Sequence, residues 1–264
     1  MRQLLAVCLC AVVAGCASPG AGPQPALQGI PSSADSSAPG EFRQEIKGDE
    51  LDFLGAYPAE AAAIPALDAL LRRDLDGFRH EGVRMGQSDR REAEAAGFPF
   101  RKHASDKIWS VRASGPRLLI LTAEIYTFTG GAHGMTNFEV LIWDREAAVR
   151  LAFPDLLAPG ADFGGVVRSA FCQALDRQRE EKRGAPLGPP DDMFNTCLDP
   201  LKQVVAPASA AGSPIDHLDF LIAPYEAGPY AEGPYVVSLP MNKAMLGLIK
   251  PQYRAAFVAS REGP

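Results

Sequence analysis

The chain has 264 residues, a length typical of one or two domains, and its formal net charge is -6. Hydrophobic residues make up 47% of the chain and charged residues 22%, as in ordinary globular proteins. The acidic balance argues against a nucleic-acid-binding protein, which needs a basic surface, and against electrostatic attachment to anionic lipid.

The N-terminus is typical of a secretory signal that ends at a lipidation site. Arg2 supplies a positive charge, Leu4 to Val13 form a short apolar run, and small residues precede Cys16. This order predicts a bacterial lipoprotein in which residues 1–15 are removed and Cys16 is acylated, for example with palmitate. The apolar run is shorter than the ~20 residues that a membrane-spanning helix needs. The alternative is an ordinary secretory signal that carries a cysteine by chance.

Residues 16–41 are predicted to be a disordered tether, because they are rich in Pro, Gly, Ser and Ala and offer little to bury. A flexible chain of this length spans about 25–30 Å. Ala17 follows the lipidated cysteine, and among Gram-negative lipoproteins the lack of Asp there favours the outer membrane, facing the periplasm. The membrane is therefore expected to be contacted through the lipid alone.

The cysteines indicate one disulfide. Cys8 and Cys10 lie in the signal, Cys16 takes the lipid, and Cys172 and Cys197 remain. An even pair in an oxidising compartment predicts a bridge between Cys172 and Cys197. Two buried free thiols are the alternative.

The folded part begins near Phe42 with a strand-like stretch to Phe53, and its first half mixes one helix with several strands. Apolar residues at spacings of three and four predict a helix over 59–80, which can begin at Pro65. Residues 84–107 are polar and charged and are predicted to be a loop or an irregular excursion. Three runs rich in β-branched and aromatic residues predict an antiparallel meander: 108–113, 118–128 and 137–144. Trp109 and Trp143 lie in these runs and are predicted core residues, with sugar stacking as the alternative.

The second half is predicted to restart at residues 151–157 and to contain the clearest helix, over 161–183, ended by Gly184. The remaining predicted elements are a loop over 185–214, short strands over 220–223 and 235–239, and a helix over 241–250. Strand pairs joined by tight turns make the fold class α+β. We place an N-terminal α+β subdomain over 42–148 and a C-terminal α+β subdomain over 149–264.

Two loops hold residues that secondary-structure propensity alone does not explain. Residues 129–134 read Thr-Gly-Gly-Ala-His-Gly, which suits either a simple hairpin turn or a loop that presents His133. Residues 224–233 form a compact turn with two tyrosines and two glutamates, which suits either packing over the core or recognition.

Together, these loops and the phrase Phe153–Leu157 between them resemble the RsiV-like extracellular module, over roughly residues 42–258. The same module precedes the catalytic domain of the peptidoglycan deacetylase PdaC. The resemblance implies two small α+β parts, the second similar to a subdomain of the Hsp70 ATPase fold without its nucleotide chemistry. No sigma-binding segment and no deacetylase domain are recognised, so neither activity is expected here.

What the resemblance does imply is binding, because the RsiV module recognises lysozyme. We expect a non-enzymatic envelope lipoprotein that binds a wall-acting protein such as a lysozyme-type muramidase, with inhibition of that protein as one outcome. The expected partner-binding residues come from the two loops: Thr129, Gly130, Gly131, His133, Gly134, Tyr225, Glu226, Pro229 and Tyr230.

Two other functions stay open. One is a module that binds peptidoglycan or another glycan, and the other is a hydrolase of unrecognised type. The four histidines show no metal-ligand spacing, and no dinucleotide, P-loop or serine-hydrolase motif is present. We therefore expect no cofactor, no metal and no catalytic residue.

Overall fold

The computed structural model describes residues 40–190 and 192–260, and over these ranges the protein is α+β, as predicted. The signal, Cys16 and the tether up to residue 39 lie outside the described residues. Within the described ranges, no helix combines the length and apolar character needed to cross a membrane.

A six-stranded sheet forms the first half, with its strands in chain order. The strands are β1 (Phe42–Lys47), β2 (Leu51–Tyr57), β3 (His103–Ser114), β4 (Leu118–Phe128), β5 (Met135–Asp144) and β6 (Val149–Leu151). The predicted antiparallel meander is confirmed as β3, β4 and β5. Strands β2 and β3 are parallel, an arrangement that needs a long crossover connection. Residues 42–53, expected to open with one strand, contain β1 and the start of β2.

Two helices, α1 (Ala59–Ala62) and α2 (Pro65–Ala96), make that crossover. As predicted, the long helix begins at Pro65, where the missing N–H costs no hydrogen bond. The predicted loop over 84–107 is wrong, because α2 continues to Ala96 and β3 already begins at His103. The second half of α2 is charged and solvated, with Arg84 paired to Glu81, so it has no apolar stripe for periodicity to detect.

The second half packs one long helix, α3 (Phe163–Arg183), against a small antiparallel sheet. Helix α3 confirms the predicted helix, and Gly184 ends it with a φ of 65°. The small sheet contains β7 (Val204–Ala208), β8 (His217–Ile222) and β9 (Tyr235–Pro240), followed by the short helices α4 (Lys243–Leu248) and α5 (Pro251–Arg254).

Two predictions for this half are wrong in detail. The predicted loop over 185–214 contains β7, whose Pro207 is tolerated because β7 is an edge strand of the small sheet. The predicted helix over 241–250 is shorter: α4 ends at Leu248, the backbone is extended at Ile249, and α5 begins at Pro251.

The large sheet is buried on both faces, and β4 shows this most clearly. Leu118 and Ile120 point into a core shared with α3 and the small sheet. Leu119 and Leu121 point to the other face, into a core shared with α2. Trp109 and Trp143 belong to this second core and are each 3% exposed, which confirms their predicted place. Strand β6, which follows the predicted subdomain boundary at 148, still pairs with β5.

Cys172 in α3 and Cys197 in the segment before β7 lie at disulfide distance, with their Cα atoms 5.4 Å apart. The bridge would close a loop over a sequence separation of 25 residues. In the chain-entropy model, closing such a loop stabilises the folded state by about 3 kcal/mol.

We expect a thiol reagent to modify neither Cys172 nor Cys197 in the denatured, unreduced protein, and to modify both after reduction, as read by peptide mass spectrometry. The variant Cys172→Ala/Cys197→Ala should lose about 3 kcal/mol of unfolding free energy in denaturant titrations. Labelling of either cysteine before reduction would contradict the bridge.

Candidate functional site

The loop over residues 129–134, here called the glycine loop, connects β4 to β5 and has a defined conformation. Gly130 adopts a φ of 86°, which favours glycine. The guanidinium of Arg101 donates hydrogen bonds to the carbonyls of Gly130 and Gly131, at 3.0 and 3.1 Å. Gly134 is buried against Tyr126, and a Cβ at this position would collide with the tyrosine ring. These glycines therefore serve the turn itself and fix the position of its histidine.

The loop over residues 224–233, here called the tyrosine loop, connects β8 to β9. Tyr225 adopts a φ of 71°, which is rare for a residue with a bulky side chain. Its ring is 48% exposed. Pro229 precedes a 3-10 turn over Tyr230–Glu232. The backbone at Tyr225 is therefore held in an unfavourable conformation that leaves the side chain in solvent.

The two loops meet in an aromatic cluster, which consists of His133, Tyr225 and Tyr230. The imidazole of His133 stacks on the Tyr230 ring, with centroids 3.6 Å apart and planes 19° apart. Its Nε2 lies 3.2 Å from the Tyr225 hydroxyl, and its Nδ1 lies 2.9 Å from the carbonyl oxygen of Gly134. A neutral imidazole suits both contacts, because Nδ1–H donates to the carbonyl while Nε2 accepts from the tyrosine.

The other predicted site residues lie around this cluster. Thr129, Gly131, Glu226 and Pro229 are exposed in the same two loops. The structure thus brings together three of the nine predicted partner-binding residues, and the other six lie in the same two loops.

Basic residues at the C-terminal end of α3 bind the tyrosine loop. Arg183 forms an ion pair with Glu232, at 2.8 Å, and the Tyr235 hydroxyl donates to the same carboxylate. Lys182 donates to the carbonyls of Glu232 and Pro234, at 2.7 and 2.6 Å. These contacts join the loop to the helix by charge-assisted hydrogen bonds, which are stronger than neutral ones.

Arg179 also contacts the tyrosine loop, and it is completely buried. Its Nε donates to the carbonyl of Ala227 at 2.9 Å, and Nη1 lies 3.1 Å from the carboxylate of Asp176. Arg179 was not among the predicted site residues, although its position in the sequence carries a signal. Arg179 follows Leu175 by four positions and so continues the buried stripe of α3.

Beside the glycine loop, the large sheet presents two acidic side chains. Tyr126, which packs against Gly134, lies on the same face of β4 as Glu124, and Asp106 of β3 pairs in register with Tyr126. Glu124 is accessible to solvent, yet its surroundings desolvate it and raise the pKa of its carboxyl. Burial also raises the pKa of Asp106. This face therefore carries carboxylates whose ionised form is disfavoured in the free protein.

Comparison with known proteins finds a family model that matches part of the chain. The family model described as Deacetylase PdaC matches residues 44–136, which run from β1 through the glycine loop into β5. Residues 44–136 are therefore similar to the PdaC family. The predicted resemblance is thereby confirmed, and the tyrosine loop lies outside the matched residues.

A solved structure of similar fold covers more of the chain than the PdaC-like match does. A DUF3298 family protein from Pseudomonas aeruginosa PAO1 has a TM-score of 0.50 at 18% identity, covering 84% of this chain and 97% of that chain. A DUF3298 family protein from Bacteroides fragilis NCTC 9343 has a TM-score of 0.45 at 17% identity, covering 81% and 94%. The first likeness shows a shared fold. The likeness of 149–264 to an Hsp70 subdomain stays a prediction, and no curated protein matched this chain.

Replacing Glu124 with glutamine should stabilise the protein at neutral pH. Because the pKa of Glu124 is raised in the folded state, that state binds the proton more tightly than the unfolded state does. Stability is therefore lost as the pH rises from the ordinary carboxyl pKa of about 4.3 towards the raised value. We expect Glu124→Gln to have a higher Tm than the parent at pH 7 and an equal Tm near pH 3 (about one unit below that ordinary value).

The matched control is Glu94→Gln, which changes an exposed carboxylate on α2. Thermal unfolding followed by circular dichroism measures both variants. An unchanged or lower Tm for Glu124→Gln at pH 7, or a gain of the same size for Glu94→Gln, would contradict the desolvation of Glu124.

Proposed function

We propose that this chain is a non-enzymatic envelope lipoprotein whose folded part binds a wall-acting protein, such as a lysozyme-type muramidase, and inhibits it. The observation that carries the proposal is the aromatic cluster of His133, Tyr225 and Tyr230, which two separate loops build on one surface. Tyrosine is favoured at protein interfaces, since it buries a large area and loses little side-chain entropy.

The rigidity of the cluster supports a role in binding. His133 is fixed by its contacts to Gly134 and Tyr230, and the tyrosine loop is held by the basic residues of α3. A surface that is already ordered in the free protein loses less conformational freedom when a partner binds. The exposed ring of Tyr225 is then available as the central contact of an interface.

The charge around the cluster favours a basic partner. The chain carries a net charge of -6, and Glu226 is exposed next to Tyr225. Complementary charge speeds association and favours the matching partner over others. A basic muramidase has the complementary charge.

A titration of the protein with a lysozyme-type muramidase, followed by calorimetry, tests this function. We expect binding, with the parent protein slowing muramidase lysis of cell walls, and we expect Tyr225→Ala and Tyr230→Ala to weaken binding by about 5- to 1000-fold each. Val149→Ala is the control, because Val149 is also exposed, at 44%, but lies far from the aromatic cluster. It belongs to β6, which follows the end of β5 that is farther from the glycine loop.

Co-sedimentation with purified sacculi, in the absence of muramidase, separates this function from glycan binding. Absence of muramidase binding at micromolar concentrations would contradict the proposal. Sedimentation of the parent with sacculi that is lost in Tyr225→Ala would instead assign the aromatic cluster to a glycan.

The proposed attachment to the outer membrane through Cys16 has its own test. We expect the protein expressed in a Gram-negative host to incorporate labelled palmitate and to partition into detergent with the outer membrane. Cys16→Ala should lose the label. Incorporation of label by Cys16→Ala, or an unlabelled parent, would contradict lipidation.

A further inference from the structure

The segment that carries Cys197 packs close to the tyrosine loop. We call residues 192–199 the cysteine loop. Cys197 is joined at disulfide distance to Cys172 in the middle of α3, two turns before Arg179. Phe194 adopts a φ of 66°, so this loop also holds a bulky residue in a rarely populated conformation.

The guanidinium of Arg179 joins the two loops. On one side its Nε donates to the carbonyl of Ala227 in the tyrosine loop, at 2.9 Å. On the other side Nη1 and Nη2 donate to the carbonyls of Asn195 and Thr196 in the cysteine loop, at 3.3 and 3.1 Å. Arg179 is 0% exposed, so these protein acceptors, and not bulk water, satisfy its N–H groups.

Arg183, one helical turn further along α3, repeats the arrangement. Its Nη1 donates to the side-chain oxygen of Asn195 at 2.7 Å, and its Nε donates to the carboxylate of Glu232 at 2.8 Å. Asn195 is itself 9% exposed. Two adjacent guanidinium groups therefore connect the same two loops.

This geometry couples the disulfide to the aromatic cluster. Thr196 is the immediate neighbour of Cys197, so the bridge to Cys172 holds the two carbonyls that Arg179 uses. Without the bridge these carbonyls lose one constraint on their position, and a buried guanidinium cannot keep unsatisfied N–H groups. Arg179 must then shift or admit water, and its hydrogen bond to Ala227 changes with it.

We propose that Arg179 and Arg183 are the positioning residues of the aromatic cluster, and that the Cys172–Cys197 bridge sets their geometry. The tyrosine loop is then ordered only in the oxidised protein. This inference rests on the proposed binding function for its biological meaning. Its structural content, the coupling between the cysteine loop and the tyrosine loop, stands without any partner.

Hydrogen exchange measured by mass spectrometry tests the coupling in the absence of a partner. The amides of Glu232 and Gly233 are bonded within the tyrosine loop, at 2.9 Å each, and report its order. We expect Cys172→Ala/Cys197→Ala to accelerate exchange over 224–233 at least about tenfold. Peptides from β4 should keep the exchange rates of the parent and so report an intact fold.

Arginine variants separate coupling from a local effect of the cysteines. Arg179→Lys, with the bridge intact, should accelerate exchange over 224–233 because lysine cannot serve both loops at once. Arg168→Lys, on an exposed face of the same helix, should leave it unchanged. In the cysteine-free background, Arg179→Lys should accelerate exchange over 224–233 by a smaller factor than it does in the parent.

Acceleration confined to residues 192–199, or fully additive effects of the cysteine and arginine changes, would overturn the proposal. Should the cysteine-free variant also lose protection in β4, the same peptides are followed in the parent protein during gradual reduction with dithiothreitol. There, exchange over 224–233 must rise while β4 stays protected. If these results hold but no muramidase binds, the proposed function fails and the coupling stands.

Discussion

Arg179 places a guanidinium where water does not reach, and the tyrosine loop is built on the hydrogen bonds that this group must make. Transferring a charge from water into a protein interior costs several kcal/mol unless the protein supplies partners. Here Asp176 supplies the opposite charge, and carbonyls of Ala227, Asn195 and Thr196 supply the remaining acceptors. A conformation of either loop that removes its carbonyls leaves buried donors unsatisfied, so one conformation of the pair is favoured over the alternatives.

The large sheet places the glycine loop beside the tyrosine loop. Because β4 is buried on both faces, its position is determined by two cores at once. The glycine loop follows β4 directly, so the packing of β4 also determines where this loop lies. On one face of the same sheet, α3 and the small sheet share a core with Leu118 and Ile120, and β8 and β9 carry the tyrosine loop. Packing across one sheet thus brings together loops that are remote in sequence.

Helix α3 was predicted from the periodicity of its one buried stripe. Strands β4 and β5 were predicted from continuous runs of β-branched and aromatic residues, because much of each strand is buried on both faces. Strand β3 was predicted only over its second half, since its first residues are polar. The second half of α2 was missed because it is a solvated helix whose charged side chains leave no apolar stripe. Strand β7 was missed because Pro207 argues against a strand unless its place at a sheet edge is known.

The site was predictable only in its parts. Glycines, a histidine and tyrosines in two loops indicated candidate positions, whereas the contact between His133 and Tyr225 spans 92 residues of sequence and depends on the packing of both halves. The role of Arg179 depends on the same packing. An arginine at a stripe position signals a buried charge, but the carbonyls that it binds come from loops without regular secondary structure.

The distribution of backbone strain supports a surface that is shaped for a partner. In the described ranges, three residues other than glycine have positive φ: Ala148, Phe194 and Tyr225. Ala148 belongs to the turn before β6, whereas Phe194 and Tyr225 lie in the two loops that Arg179 joins. Such conformations cost on the order of 1–3 kcal/mol each and persist only where surrounding contacts impose them. The contacts of Arg179 lie within two residues of both positions, and the exposed Tyr225 lies beside His133.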